Sequence, residues 1–196
     1  MSNVVIERVS GPQLTPYIPA LAALRIEVFR EFPYLYDGTL EYEARYLQQY
    51  QSSERGVIVI ARDGAEVVGA STALPLVEQP ELVPTFTAAG IDPAGVYYFG
   101  ESVLRGAYRG RGIGHVFFAG REAQALELGF SSTAFCAVER PSTHPRRPAD
   151  YVPHDAFWSK RGYSKCPELR TQFAWRDLDE TSETPKPMVF WRKVLQ

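Results

Sequence analysis

The sequence predicts one mixed α/β domain. Three observations carry the prediction. Apolar alternation and short apolar runs mark strands along the whole chain. Segments of helical period lie between them. A glycine-rich turn at 109–114 joins one of the strands to one of the helices.

In chain order, residues 3–9 alternate as a first strand, ended by Gly11 and Pro12. Ile18, Leu21, Ala22, Leu24, Val28 and Phe29 give 17–30 a helical spacing. Pro33, Asp37 and Gly38 break the chain, and Thr39 is placed to cap a second helix over 40–50. Residues 57–61, Val-Ile-Val-Ile-Ala, read as a buried strand that returns through a hairpin at 62–65 into 66–74. Residues 75–95, rich in proline and glycine, form an insert with one short helix. A strand at 96–104 and a helix at 112–128 follow. The expected buried stripe of that helix is Val116, Ala119, Gly120, Ala123 and Leu126, with Gly129 at its C-terminal cap. Residues 133–138 are a further buried strand, 139–153 a proline-rich insert, and 154–161 a short helix closed by Gly162. Two late strands, about 169–176 and 187–194, flank an acidic turn at 177–184. No repeat or low-complexity tract interrupts this order, so residues 1–196 read as a single domain.

The bulk numbers exclude several classes. A chain of 196 residues can bury a real core, roughly 70% of its unfolded surface. Apolar residues at 45%, charged residues at 22% and a net charge of −2 describe an ordinary globular protein. There is no basic surplus for phosphate contacts, so nucleic acid is not an expected partner. No run approaches the roughly 18 apolar residues of a membrane span. The first seven residues lack the basic region and apolar run of a secretory leader, so a cytoplasmic location is expected. Cys136 and Cys166 stand in no metal or redox spacing and read as reduced thiols. His144 and His154, near Asp150 and Asp155, match no ligand pattern, so no metal is expected.

The segment with chemical content is Arg109, Gly110, Arg111, Gly112, Ile113 and Gly114. Glycines let the backbone turn sharply and bring its N–H groups close to a ligand. The helix that follows adds free donors and a partial positive charge, which together suit a pyrophosphate. Two rival phosphate loops fail on spacing. A dinucleotide fingerprint begun at Gly110 ends on His115, and one begun at Gly112 ends on Phe117. The Gly-Lys-Ser/Thr ending of a nucleoside-triphosphate loop is absent.

Here the chain resembles the GCN5-related N-acetyltransferases. Their signature, Arg/Gln-x-x-Gly-x-Gly/Ala, is matched by Arg109, Gly112 and Gly114. The later segment from Ala156 to Tyr163, with Phe157, Trp158 and Gly162, resembles the family's Phe-Trp/Tyr-x-x-x-Gly-Phe/Tyr ending, and the element order fits nearly the whole chain apart from the two long inserts. The resemblance implies a mixed, mostly antiparallel sheet splayed at its middle, with helices on both faces. It implies acetyl-coenzyme A as acyl donor, direct transfer of the acetyl group to an amine of a small molecule or peptide, and homodimers as a common assembly.

The same resemblance assigns residues. The amides of 109–114 receive the pyrophosphate. Backbone groups of Ser102, Val103 and Leu104 bond the pantetheine arm as an added strand would, and a backbone N–H near Leu104 faces the developing oxyanion. Glu101 stands where related sequences often carry a glutamate, and either takes the amine proton or is a structural carboxylate paired with an arginine. The tyrosine that protonates the departing thiolate in many such proteins is replaced here by Trp158, which is kept as a cofactor contact. Tyr151 is the substitute if the short helix begins early. The aromatic run Phe29, Phe32, Tyr34, Tyr36, Tyr42 and Tyr46 either packs the core or lines an acceptor groove. Both inserts are expected on the acceptor side, leaving the cofactor side open, because each adjoins a strand of the central cleft and the glycine loop occupies the other end. Two other readings stay open: a module that binds acyl-coenzyme A without catalysis, which Trp158 favours, and a hydrolase using Cys136, which lacks a neighbouring histidine.

Overall fold

Apolar strands of this number can be buried on both faces only if helices cover both sides of one sheet. A computed structural model, which describes residues 4–196, has that arrangement. Strands β1 (Val4–Val9), β2 (Val57–Asp63), β3 (Glu66–Pro75), β4 (Val96–Leu104), β5 (Ser132–Val138), β6 (Ser164–Trp175) and β7 (Thr184–Val194) form one seven-stranded sheet in the order β1-β2-β3-β4-β5-β7-β6. Every neighbouring pair is antiparallel except β4 and β5. Residues 1–3 lie outside the described residues; they include residue 3 of the expected first strand and the first three residues of the segment read against a leader. Among the described residues no helix is long and apolar enough to cross a membrane.

Helices α1 (Ile18–Phe29), α2 (Leu40–Ser52) and the short α3 (Val83–Ala88) cover one face; α4 (Ile113–Glu127) and α5 (Asp155–Lys160) cover the other. β2 shows why its sequence is an unbroken apolar run. Ile58 and Ile60 pack with Leu21, Leu24 and Leu47 of α1 and α2, while Val59 and Ala61 pack with Ile113 and Phe117 of α4. Thr39 caps α2 as its position indicates, its Oγ1 accepting from the Tyr42 N–H at 3.3 Å.

Three boundaries and one stripe differ from the sequence reading. A 3-10 turn over Gly11–Tyr17 precedes α1, and β6 and β7 begin at Ser164 and Thr184, earlier than expected. The buried residues of α4 are Ile113, Phe117, Phe118, Arg121 and Ala125, whereas Val116 and Leu126 are 45% and 50% exposed. The true stripe steps by four from Ile113 to Ala125 and has an arginine in its middle, which hides it from a purely apolar search.

That arginine holds the feature on which the site depends. β3 and β4 pair as Ser71 with Ser102 and Ala73 with Phe99, so Thr72 alone opposes both Gly100 and Glu101. This is a β-bulge in β4, which bends the strand and re-aims a side chain. β4 and β5 pair only from Val96 to Tyr98 and then part, β4 staying with β3 and β5 with β7. Arg121 Nη1 donates to Thr72 O at 3.3 Å and Glu101 O at 3.2 Å, the carbonyls displaced by the bulge, and Nη2 donates to Ser102 Oγ at 2.9 Å. Its Nε returns to Phe117 O at 3.2 Å, and its plane lies against the Phe99 and Phe118 rings. Burial pulls its pKa down to about 10, which still leaves a cation at neutral pH.

Arg121→Met keeps the packed stem but strands these buried acceptors. The expected cost is roughly 3 kcal/mol. For a chain of this size that lowers the melting temperature by about 6–12 °C in a thermal unfolding scan. A loss under about 0.5 kcal/mol, the level of an ordinary surface substitution, would show that the bulge does not rely on Arg121.

Candidate active site

The parting of β4 from β5 opens two clefts that meet in the middle of the sheet. The first, about 900 Å³, lies on the α4–α5 side and is lined by Arg109, Gly114, Ser102, Leu104, Phe157 and Trp158 among others. The second, about 700 Å³, lies on the α1–α2 side and is lined by Arg25, Tyr42, Glu43, Tyr46, Gln79 and Trp175 among others. Phe29, Tyr34, Gly100, Glu101 and Cys136 line both.

The glycine loop stands at the mouth of the first cleft. Gly110 and Gly112 have φ of 73° and 80°, a conformation glycine adopts without strain. The helical bonds of α4 begin with the His115 and Val116 N–H groups, both donating to Gly112 O, so the amides of Gly112, Ile113 and Gly114 point out of the helix end. The buried Ile113 side chain roots the turn in the core beside Phe117. Gly114 faces Phe157, where an added Cβ would sit at 3.5 Å. Arg109 pairs with Glu31 at 2.7 Å and donates through Nε to Leu104 O at 3.1 Å. The Arg111 guanidinium lies 5.0 Å from the Tyr108 ring centre.

The backbone of β4 is divided between its two sides. Arg105 N–H donates to Val68 O, and antiparallel residues alternate between bonded and non-bonded pairs. Val103, paired with Ala70, therefore turns its polar groups to β3, while Ser102 and Leu104 turn theirs into the gap. The three-residue expectation narrows to two.

Glu101 is the most constrained side chain. The bulge puts it on the α1–α2 face, where its Oε1 pairs with Arg25 Nη1. The same guanidinium pairs through Nε with Glu43, whose side chain is fully buried. A ring of hydrogen bonds closes around the bulge. Glu101 N–H donates to Thr72 Oγ1 (3.2 Å) and the Thr72 hydroxyl to Tyr50 Oη (3.0 Å). Tyr46 Oη lies 3.0 Å from Tyr50 Oη and donates to Glu101 Oε2 at 2.9 Å. Burial, and after it the Glu101 carboxylate, raises the pKa of both phenols, so both stay protonated. The ring leaves no room at Gly100, where a Cβ would sit 2.3 Å from Tyr50 Oη and 2.6 Å from Thr72 Oγ1.

The remaining expectations divide. α5 starts at Asp155, so Tyr151 is not on it and the early-start condition fails. Tyr151 still lines the first cleft, packed edge-on against Phe32 with the Arg147 guanidinium over its ring, and burial raises its pKa. Trp158 packs on Phe135 and Trp191 as part of the cleft wall. Burial pushes the Cys136 thiol up to about 12, which removes it as a nucleophile at neutral pH. The insert at 139–153 contributes Arg146, Arg147 and Tyr151 to the same cleft as the glycine loop, so it does not leave that side open as expected; the 75–95 insert does line the second cleft, through Gln79 and Glu81. Among the described residues no cluster of His, Cys, Asp and Glu could hold a metal ion.

Sequence reading missed Arg25, Arg121 and Arg140. Arg140 donates to Pro33 O, Tyr34 O and Asp177 Oδ1 at 2.8–2.9 Å, pinning the segment that contributes Tyr34 to both clefts. The available signal for the first two was an arginine in register with a buried apolar stripe, a position that demands partners.

No family model matches the sequence, and no curated protein does. Solved structures do. A ribosomal-protein-alanine N-acetyltransferase from Brucella melitensis superposes with a TM-score of 0.63 at 14% identity, over 97% of this chain and 99% of that one. A GCN5-related N-acetyltransferase from Kribbella flavida gives 0.57 at 17% identity, over 97% and 98%. A Salmonella typhimurium protein assigned as an acetyltransferase, solved with its cofactor acetyl-CoA, gives 0.60 at 9% identity, over 98% and 94%. At these identities the likeness is one of architecture, spanning both chains nearly end to end: the chain has the fold of the GCN5-related N-acetyltransferases.

Proposed function

We propose that this protein transfers an acetyl group from acetyl-coenzyme A directly to an amine. The observation that carries the reading is the open gap between β4 and β5, with unpaired helix-end amides at its mouth and a buried carboxylate at its centre. Gly112, Ile113 and Gly114 offer N–H groups to a pyrophosphate, and Arg109 stands beside them. Ser102 and Leu104 offer backbone groups to the amide-bearing pantetheine arm, as to an added strand. Trp158 and Phe157 give that arm an apolar wall. The Leu104 N–H faces the carbonyl oxygen where charge develops.

In the reaction the amine nitrogen bonds to the acetyl carbon, the carbon–sulfur bond breaks and coenzyme A leaves as a thiolate. Glu101 takes the amine proton, directly or through water. Its pairing with Arg25 does not disqualify it, because that one guanidinium also serves Glu43. Tyr151, in the first cleft and protonated, is a phenol available to the thiolate.

Gly112→Glu places bulk and negative charge where the loop meets phosphate, in a conformation that strains any L residue. Gly112→Asn carries most of that strain and no charge. Calorimetry with acetyl-coenzyme A is expected to show binding lost in the first variant and largely kept in the second. Unchanged affinity in folded Gly112→Glu would remove the loop from the site.

Glu101→Gln keeps size and leaves Arg25 balanced by Glu43. Turnover is expected to fall by roughly 10²-fold or more, with acetyl-coenzyme A affinity unchanged. The defect should shrink as pH rises and more of the amine is already neutral. A purely structural Glu101 gives the opposite pattern, a lower melting temperature with no rescue at high pH. A stable variant with normal turnover at every pH would take Glu101 out of the chemistry.

A further inference from the structure

The second cleft has a charge balance unlike the first. Five carboxylates line it (Asp37, Glu43, Glu81, Glu101 and Glu183) against two guanidiniums, those of Arg25 and Arg176. Arg176 pairs with Asp37, which also pairs with Arg30 outside the cleft lining. Arg25 pairs with both Glu43 and Glu101, and the Phe29 and Tyr46 rings lie 5.1 and 4.1 Å from its guanidinium carbon. Neither cation is left to receive a ligand carboxylate. On the cleft side one guanidinium stands between two buried carboxylates; the buried Arg121 cation acts on Glu101 from the other face of the sheet. A ligand cation entering this cleft therefore meets more carboxylates than cations. The first cleft differs, its carboxylates being matched by Arg109, Arg140, Arg146, Arg147 and Lys165 among its lining cations, as suits phosphates.

Much of the remaining wall is apolar or aromatic, including Phe29, Tyr34, Tyr98, Phe173, Trp175 and Met188, with Thr39, Gln49 and Gln79 among its uncharged polar members. Ring faces attract cations as well as apolar groups. At the rim Glu81 and Glu183 are exposed and add negative potential along the approach. A volume of about 700 Å³ takes a body of one or two rings.

We propose that this cleft binds a protonated primary amine carried on an apolar, ring-sized body, and rejects the same body when it bears a carboxylate. The ammonium lies at Glu101, where the two clefts meet, and the body lies on the aromatic wall. The inference rests on the acetyl-transfer reading for the amine's fate, but not for its binding.

The test is calorimetric titration of the intact protein with 2-phenylethylamine, phenylalanine and 3-phenylpropionate, together with acetyl-transfer assays on the first two. The amine is expected to bind at least about tenfold more tightly than phenylalanine, and the anion not at all. Glu81→Lys/Glu183→Lys, altered only at the exposed rim, is expected to weaken amine binding several-fold at low salt and less at high salt. Absence of amine binding, or equal or tighter binding of either carboxylate-bearing probe, overturns the inference. Preferential acetylation of phenylalanine overturns it while leaving acetyl transfer intact. Selective binding of the amine without any acetylation supports it and counts instead against the transfer reading.

Discussion

Arg121 reaches from α4 into the sheet and satisfies the Thr72 and Glu101 carbonyl groups at the place where the bulge interrupts the β3–β4 ladder. Without such a partner, the extra residue in β4 would leave buried acceptors unmatched, and a regular ladder would be the cheaper arrangement. A regular ladder would keep β4 straight. The bulge is what lets β4 leave β5 after Tyr98, and the departure makes the gap, so a buried guanidinium on the back of the sheet sets the geometry of the front. The hydrogen-bond ring through Thr72, Tyr50 and Tyr46 fixes the same bulge from the other face.

The bulge also decides which way Glu101 points. In a regular strand, neighbouring side chains alternate between faces. With the added residue, Glu101 joins Val103 on the α1–α2 face, while Ser102 reaches Arg121 on the α4 face. Glu101 then meets Arg25 and Tyr46, and shares the Arg25 guanidinium with Glu43, all three supplied by α1 and α2. The two clefts therefore differ in character for a structural reason. The α4 side brings helix-end amides and arginines, and the α1–α2 side brings carboxylates and aromatic rings. In the proposed reaction these suit an anionic donor and a cationic acceptor.

Much of this was legible in the residues. The glycine loop, its strand and its helix were readable because glycine spacing and helix-end chemistry are local. Thr39, the β2–β3 hairpin and the closing Gly162 were readable for the same reason. The bulge was not, since Gly100 and Glu101 look like ordinary strand residues until Thr72 is seen to oppose both. The stripe of α4 was misjudged because a buried arginine counts as polar in an apolar search. The placement of the 139–153 insert depends on Arg140 reaching Pro33, Tyr34 and Asp177, contacts far apart in sequence. Glu101 stands out in the sequence as a carboxylate costly to bury, but its partners come from helices more than fifty residues away.

The central claim is that one gap, held open by the bulge, receives the acyl donor and delivers it to Glu101. A crystal structure with acetyl-coenzyme A tests this most directly. The expected result places the pyrophosphate on the amides of Gly112, Ile113 and Gly114, the pantetheine arm along Ser102 and Leu104, and the thioester where the two clefts meet at Glu101. A cofactor bound outside this gap, or β4 and β5 paired beyond Tyr98 in the complex, would contradict the account.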